Sequence, residues 1–420
     1  MSRPPALERR LGLGDAVFIG LGSMIGAGVF AVFAPAAAVA GTGLLVGLGI
    51  AAVVAFCNAT ASAQLAAAHP TSGGTYAYGR AELGAWWGFI AGWCFVIGKL
   101  ASCAAMALTF AAYAAPPGWE RPVAVVAVAA LVAVNYFGVT RTAQLTRAIV
   151  VVVLLSLAVV VAAGAAAPPL PDWWSTSGLT EGGVYGILQS AGLLFFAFAG
   201  YARIATMGEE VREPRRTIPR AIVLALGIAV AVYAVVAVTV LAVLGPEATA
   251  ASTAPLADAA AASGWGWTQP VVRVGAAVAS LGALLALIAG IGRTTLAMAR
   301  EDDLPRFLSA VHPRWRVPHR AEIAIGAIVI VTVALVDLRG AIGFSSFGVL
   351  IYYFIANAAA LRQGAAARRY PRALQVLGLV GCAVLVLTLP AAAVAVGVVV
   401  VLVGVAYRWA RLRIMRTGPR

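Results

Sequence analysis

Runs of about 20 apolar residues follow one another along almost the whole 420-residue chain. Each is long enough to cross the hydrocarbon core of a bilayer as a helix. No long polar region is left to make a second, soluble domain. Composition agrees: 62% of residues are hydrophobic and 11% charged, whereas a soluble domain carries about 25% charged residues. The start, MSRPPALERRLGLGD, is basic and polar and lacks the pattern of a cleavable signal. We therefore expect an all-α integral membrane protein, one polytopic domain over residues 1–420. Twelve spans are predicted, at residues 14–38, 42–65, 86–112, 122–140, 146–166, 184–207, 220–244, 271–298, 321–337, 341–361, 373–389 and 391–408. Little more than Pro390 divides the last two.

The loops set the orientation. With the N-terminus in the cytoplasm, 24 of the 30 Lys and Arg residues fall on the cytoplasmic side. The outer loops hold only Arg121 and Arg339, while Lys99, Arg203, Arg273 and Arg293 lie in or at the ends of spans. This is a strong positive-inside bias, and it predicts a plasma (inner) membrane protein with both termini cytoplasmic. The net charge of +14 is then accounted for by contact with anionic lipid of the inner leaflet. Nucleic acid is not an expected partner, because the arginines are scattered over many separate segments.

The chemistry of an enzyme is missing. Cys57, Cys94, Cys103 and Cys382 fall in apolar spans and read as small buried hydrophobes. His69, His312 and His319 fall in predicted cytoplasmic loops. No HExxH, CxxC or GxxxxGK[ST] pattern is present, so no metal site or cofactor is expected. The spans hold no histidine and almost no acid.

The first span contains GLGSMIGAGVF, residues 20–30. Four glycines, Gly20, Gly22, Gly26 and Gly28, interrupt it, and each interior glycine weakens a helix by roughly 1 kcal/mol against alanine. Gly22-x-x-x-Gly26 alone would read as a helix-packing face. The glycines, however, spread around the helix, and polar Ser23 sits among them. They point to a discontinuous helix whose open midpoint offers N–H groups to a carboxylate and C=O groups to an ammonium. In an inverted-repeat transporter a second such break should come five spans later. The sixth span, FFAFAGYARIATMGEEVREPRRTIPRAI (195–222), has Gly200 in mid-membrane followed by Arg203.

Four stretches together resemble the amino acid–polyamine–organocation (APC) superfamily of permeases. They are GLGSMIGAGVF; PTSGGTYAYGRAELGAWWGFIAGW, at 70–93; the sixth-span stretch; and, more weakly, GRTTLAMARED at 292–302. The resemblance implies a LeuT-like fold with residues 14–166 and 184–361 as inverted five-helix repeats, helices 1 and 6 discontinuous, and residues 373–408 as two additional helices. It also implies an amino-acid site. Backbone N–H groups of Ser23, Met24, Ile25, Gly26, Ala27 and Gly28 would meet the substrate carboxylate. Carbonyls of Ile19, Gly20, Phe196, Ala197 and Ala199 would meet its amino group beside Gly200, and Phe196 would form an aromatic lid. Phe195 and Phe198 are read as packing.

The chain departs from the family in its titratable groups. Many relatives carry an acid at the position of Ala202, and many proton-coupled ones a span-five lysine that falls near Val153. Lys99 is the chain's one lysine, about 13 residues into its span. An ionisable residue at that depth is a functional candidate, and a buried lysine, unlike an arginine, can lose its proton. Lys99 is assigned to proton coupling. Arg203 is expected to cap the broken end of span six or to pair with Glu209 or Glu210. Sodium coupling is disfavoured, because Ser280 is the one hydroxyl in SLGALLALIAG (280–290). With no acid in the site region, the expected substrate is a small neutral amino acid, moved by proton symport. The alternatives are an amino acid exchanger, or a non-transporting sensor on the same fold.

Overall fold

The computed structural model describes residues 11–69, 73–138, 143–171, 173, 180, 182–205, 207 and 210–417. The first predicted span is three helical pieces: α1 (Leu13–Met24), α2 (Ala27–Ala31) and α3 (Phe33–Ala40). Next come α4 (Leu44–Ala68), a short α5 (Gly74–Leu83), α6 (Ala85–Ala114), α7 (Glu120–Tyr136) and α8 (Ala143–Ala166). The sixth span is α9 (Gly183–Phe198), a 3-10 turn at Ala199–Tyr201 and α10 (Ala202–Ala205). There follow α11 (Pro214–Ala251), a short α12 (Pro255–Ala261), α13 (Thr268–Arg300) and α14 (His319–Leu335). The chain closes with α15 (Leu338–Arg362), α16 (Arg372–Thr388) and α17 (Ala391–Thr417).

Among the described residues, 9 helical segments are long and apolar enough to cross a membrane. The helices α7, α14 and α16 have 17 residues each. Two short helices, α5 and α12, lie outside the predicted spans. Helix α11 runs on past the predicted end at 244, with a kink where Gly245 takes φ 75° ahead of Pro246.

The two halves of the chain interleave. Helix α4 packs on α9, α11 and α15, and α6 packs on α13 and α15. The α6 span is the most enclosed, with 78% of its most apolar window buried, against 22% for α17. A helix walled by other helices on all sides can hold a polar side chain, and Lys99 sits on α6.

The helix ends predicted to be cytoplasmic are tied by polar contacts. Asp15 takes the Gly12 N–H (3.0 Å) at the start of α1 and pairs with Arg147 of α8. Leu11 exchanges backbone hydrogen bonds with the chain at Glu210 and Arg212 (3.1 and 2.9 Å). Just beyond α13, buried Asp303 receives Arg80 Nη1 (2.8 Å) and Tyr76 Oη (2.9 Å) of α5 and pairs with Arg408 of α17. The Arg408 guanidinium lies over the rings of Trp86 (5.0 Å) and Phe89 (4.7 Å). Burial, then the Asp303 carboxylate, push the Tyr76 phenol above its ordinary range, so it stays a donor at neutral pH. This cluster clamps the last helix to the core.

Candidate functional site

Helix α1 ends because the chain opens for two residues. Ile25 (φ −79°, ψ 35°) still donates to Leu21 O at 2.7 Å, and Gly26 (φ −84°, ψ −135°) leaves the helical region. The helix restarts at Ala27 and passes through Val32 (φ −84°, ψ −23°) into α3, so 27–40 is one bent helix that begins inside the bundle. The first N–H groups of a helix have no acceptor within it. Those of Ala27 and Gly28 are therefore available at the point where α1 has just ended.

The glycines serve close approach to different neighbours. A Cβ on Gly200 would run into the Ser23 carbonyl and stand 2.6 Å from Met24 N. A Cβ on Gly28 would lie 2.8 Å from Ala197 Cα, and one on Gly26 would lie 2.9 Å from Ala283 Cβ of α13. On Gly20 it would meet the Ile204 side chain and lie 3.2 Å from Ala225 Cβ of α11. This explains the spread around the helix: each bare face points at a different neighbour. The result is that the two interrupted helices touch at their interruptions.

The sixth span is interrupted more gently. After Phe198 the chain tightens into a 3-10 turn, with Ala199 at φ −63°, ψ 0°. Its carbonyls are engaged by side chains from outside. Lys99 Nζ (3.4 Å) and Tyr353 Oη of α15 (3.3 Å) both donate to Ala199 O. Tyr233 Oη of α11 stands 2.7 Å from Met24 O and 3.0 Å from Ala197 O. One phenol thus bridges the C-terminal end of α1 and the last turn of α9. Ser23 Oγ turns back to Ile19 O (2.9 Å), so that carbonyl also has a donor. Tyr113 Oη donates to Phe30 O (3.1 Å) on α2.

Ser23, Met24, Gly28, Ala197, Ala199, Gly200 and Lys99 are therefore brought together. Ile25, Gly26 and Ala27 are buried on the open turn, and Gly20 is buried one turn below it. Phe196 is buried on the same turn as Ala197. Phe195 and Phe198 pack edge-on or tilted against Tyr353 (5.8 Å) and Tyr233 (5.1 Å), the packing expected of them. Val153 is buried, and so is Ser280, whose Oγ has no hydrogen-bond partner among the described residues. The charges of Arg293 and Glu210 act on Arg203, while Glu209 lies outside the described residues. Tyr233, Tyr353 and Tyr113 were not foreseen from the sequence. A signal existed: a buried tyrosine must find a partner for its hydroxyl, and an interrupted helix supplies free carbonyls.

The sequence profile described as amino acid permease matches residues 11–410. An uncharacterized transporter of Mycobacterium tuberculosis is 60% identical over 413 residues, 98% of this chain and 93% of that protein. The branched-chain amino acid permease BcaP of Bacillus subtilis is 24% identical over 406 residues, 90% of this chain and 87% of that one. Cationic amino acid transporter 7, chloroplastic, of Arabidopsis thaliana is 26% identical over 387 residues, covering 85% and 66% respectively. The match runs from the start of α1 nearly to the end of α17 and so takes in almost the whole bundle, and the chain belongs to the amino acid permease family of the APC superfamily, a family of multi-pass membrane transporters.

Proposed function

We propose that the chain carries small neutral amino acids across the cytoplasmic membrane in symport with protons. In this reading it has twelve spans, with residues 14–166 and 184–361 as LeuT-like inverted repeats, 373–408 as two added helices, and both termini cytoplasmic. The substrate carboxylate meets the N–H groups around Gly26 to Gly28, and its ammonium meets carbonyls at the ends of α1 and α9. The observation that carries the reading is the contact between the two interruptions, with Lys99 donating to Ala199 O beside them. The charged side chain bonded there is a cation. A second cation, on the substrate's own side chain, would be repelled and left unpaired. The names of the relatives divide between branched-chain and cationic substrates, and the lysine favours the former for this chain.

Uptake of labelled alanine by purified protein in liposomes tests this. An inward proton gradient should raise the initial rate and drive accumulation. Robust counterflow that ignores the gradient would mean exchange instead of symport. No uptake of any neutral amino acid would overturn the substrate assignment.

A further inference from the structure

A second polar feature runs through the bundle and ends at the interruption of the sixth span. It begins at the cytoplasmic side with His69, whose side chain is 34% exposed and bonds Glu82 at 2.7 Å. Glu82 accepts from Gln363 Nε2 (3.0 Å), and Gln363 Oε1 accepts from Gln64 Nε2 (3.0 Å). Gln64 Oε1 takes the N–H groups of Arg369 and Tyr370 (3.0 and 3.3 Å), just before α16 starts. Deeper along α4 and α15, Asn357 Nδ2 donates to Asn58 Oδ1 (2.6 Å) and to Tyr353 O (2.9 Å). Tyr353 Oη then reaches Ala199 O, the atom that Lys99 also holds.

Between these two levels stands Gln375, on the first turn of α16. It lies between Tyr370, bonded to Gln64, and Gly378, where a Cβ would stand 2.7 Å from Asn357 Cγ. Residues 375 and 378 share a helix face. Gln375 is buried, and among the described residues neither Oε1 nor Nε2 has a partner. Asn58 Nδ2 and Asn357 Oδ1 are also buried without partners among the described residues. Turning the amides over does not repair this. Asn357 Nδ2 already serves two acceptors, and Asn58 Oδ1 already takes Asn357 and Cys382 Sγ (3.3 Å). Buried polar atoms with no protein partner are ordinarily met by water, and lipid can offer them nothing.

We infer that water molecules fill this column and connect the interruption of the sixth span, with Lys99, to the cytoplasm. The titratable and charged groups that border it include His69 and Glu82 at the mouth with Arg368, Arg369 and Tyr370 beside them, Cys57, Cys382, Tyr201, Tyr352 and Tyr353 in the middle, and Lys99 with Cys103 at the inner end. If transport is proton-coupled as proposed above, this column is the route by which a proton travels between Lys99 and the cytoplasm. The amides orient the water, and water carries the proton.

Radiolytic hydroxyl labelling of the intact protein in ¹⁸O-water, read by mass spectrometry, tests the column without reference to transport. Tyr353 and Tyr201 are fully buried, as is Phe33 in the apolar core, to within 1%. Water in the column predicts that both tyrosines gain ¹⁸O several-fold faster than Phe33, and that Gln375→Leu returns them to the Phe33 rate while Gln375→Asn does so less. Labelling of the wild-type tyrosines at the Phe33 rate overturns the inference, whatever the variants do. Substrate-driven proton uptake into liposomes separates the two ideas. Labelled tyrosines without proton uptake keep the column and remove the symport reading; proton uptake without labelling does the reverse.

Discussion

Tyr233 places one hydroxyl against carbonyls of two different interrupted helices, Met24 O and Ala197 O. Tyr233→Phe keeps the ring, with its packing on Phe198, and removes only that donor. A buried acceptor that loses its donor costs about 1–3 kcal/mol, and about 1.4 kcal/mol is tenfold in a rate or equilibrium. We expect the maximal uptake rate to fall by about tenfold with the protein still folded and membrane-inserted. Unchanged uptake would show that the bridge does not hold the working geometry. Lys99 is tested by charge. Lys99→Ala should flatten the pH dependence of uptake, and Lys99→Arg, which cannot give up its proton, should transport poorly at every pH. A Lys99→Ala profile parallel to the wild type would remove Lys99 from coupling. Lys99 stood out in the sequence because it is one lysine among 29 arginines, deep in a span. The Ala199 carbonyl was one of five expected to meet the substrate's amino group, but that Lys99 and Tyr353 both donate to it was not legible, since only the fold shows which side chains reach which carbonyl.

The interrupted helices were legible as elements, and their neighbours were not. Glycine spacing and Ser23 pointed to an opening among residues 20–28, which the structure shows at 25–26, and Gly200 marked an interruption that the structure shows as the 3-10 turn Ala199–Tyr201. Nothing in the spacing says that Gly200 faces the Ser23 peptide or that Gly28 faces Ala197, because those contacts join residues far apart in the chain. The short helices α5 and α12 were missed for a different reason: they are too short to show as apolar runs. Gly200→Ala tests the contact. The added methyl has backbone on its far side, so the two helices must separate, and uptake should be lost with a lowered Tm. Normal kinetics from Gly200→Ala would mean that the interruptions need not touch. The clamp on α17 is also an element-scale device. Asp303→Asn leaves Arg408 buried without its carboxylate, and removing one partner of a buried pair costs about 3–5 kcal/mol. Thermal unfolding of the purified protein should shift down clearly, and an unchanged Tm would show that the clamp is solvated enough to be dispensable. Asp302 beside it is held below the usual carboxylate range by its hydrogen bond to Arg306, so it stays charged as Asp303 is altered.

At the scale of the whole molecule, charge is sorted by depth. Arginines crowd the predicted cytoplasmic ends, and the described acids lie near helix ends or in loops, as with Asp15, Glu82, Glu301, Asp302 and Asp303. The centre, where α2 packs on α9 and α13, is mostly glycine and alanine, with Ser23, Met24 and Phe196 beside them and Lys99 bonded to Ala199 O. A transporter for arginine, lysine or a polyamine must offer a carboxylate or several carbonyls to the extra ammonium, because an unpaired buried charge costs several kcal/mol. Here the carbonyls nearest the interruptions already have donors: Ala199 O has Lys99 and Tyr353, Ala197 O and Met24 O share Tyr233, and Ile19 O has Ser23. That leaves room for the α-ammonium of a substrate that displaces or shares one donor, and none for a second cation. An anionic side chain would have to share N–H groups that the proposed binding mode gives to the α-carboxylate. We therefore expect alanine- to leucine-sized neutral amino acids to compete with labelled alanine uptake, and arginine, lysine and putrescine to compete weakly at the same concentration. Strong inhibition by arginine or putrescine, with none by leucine or phenylalanine, would mean that the donors on these carbonyls leave during the cycle and that the pocket is read with the wrong sign.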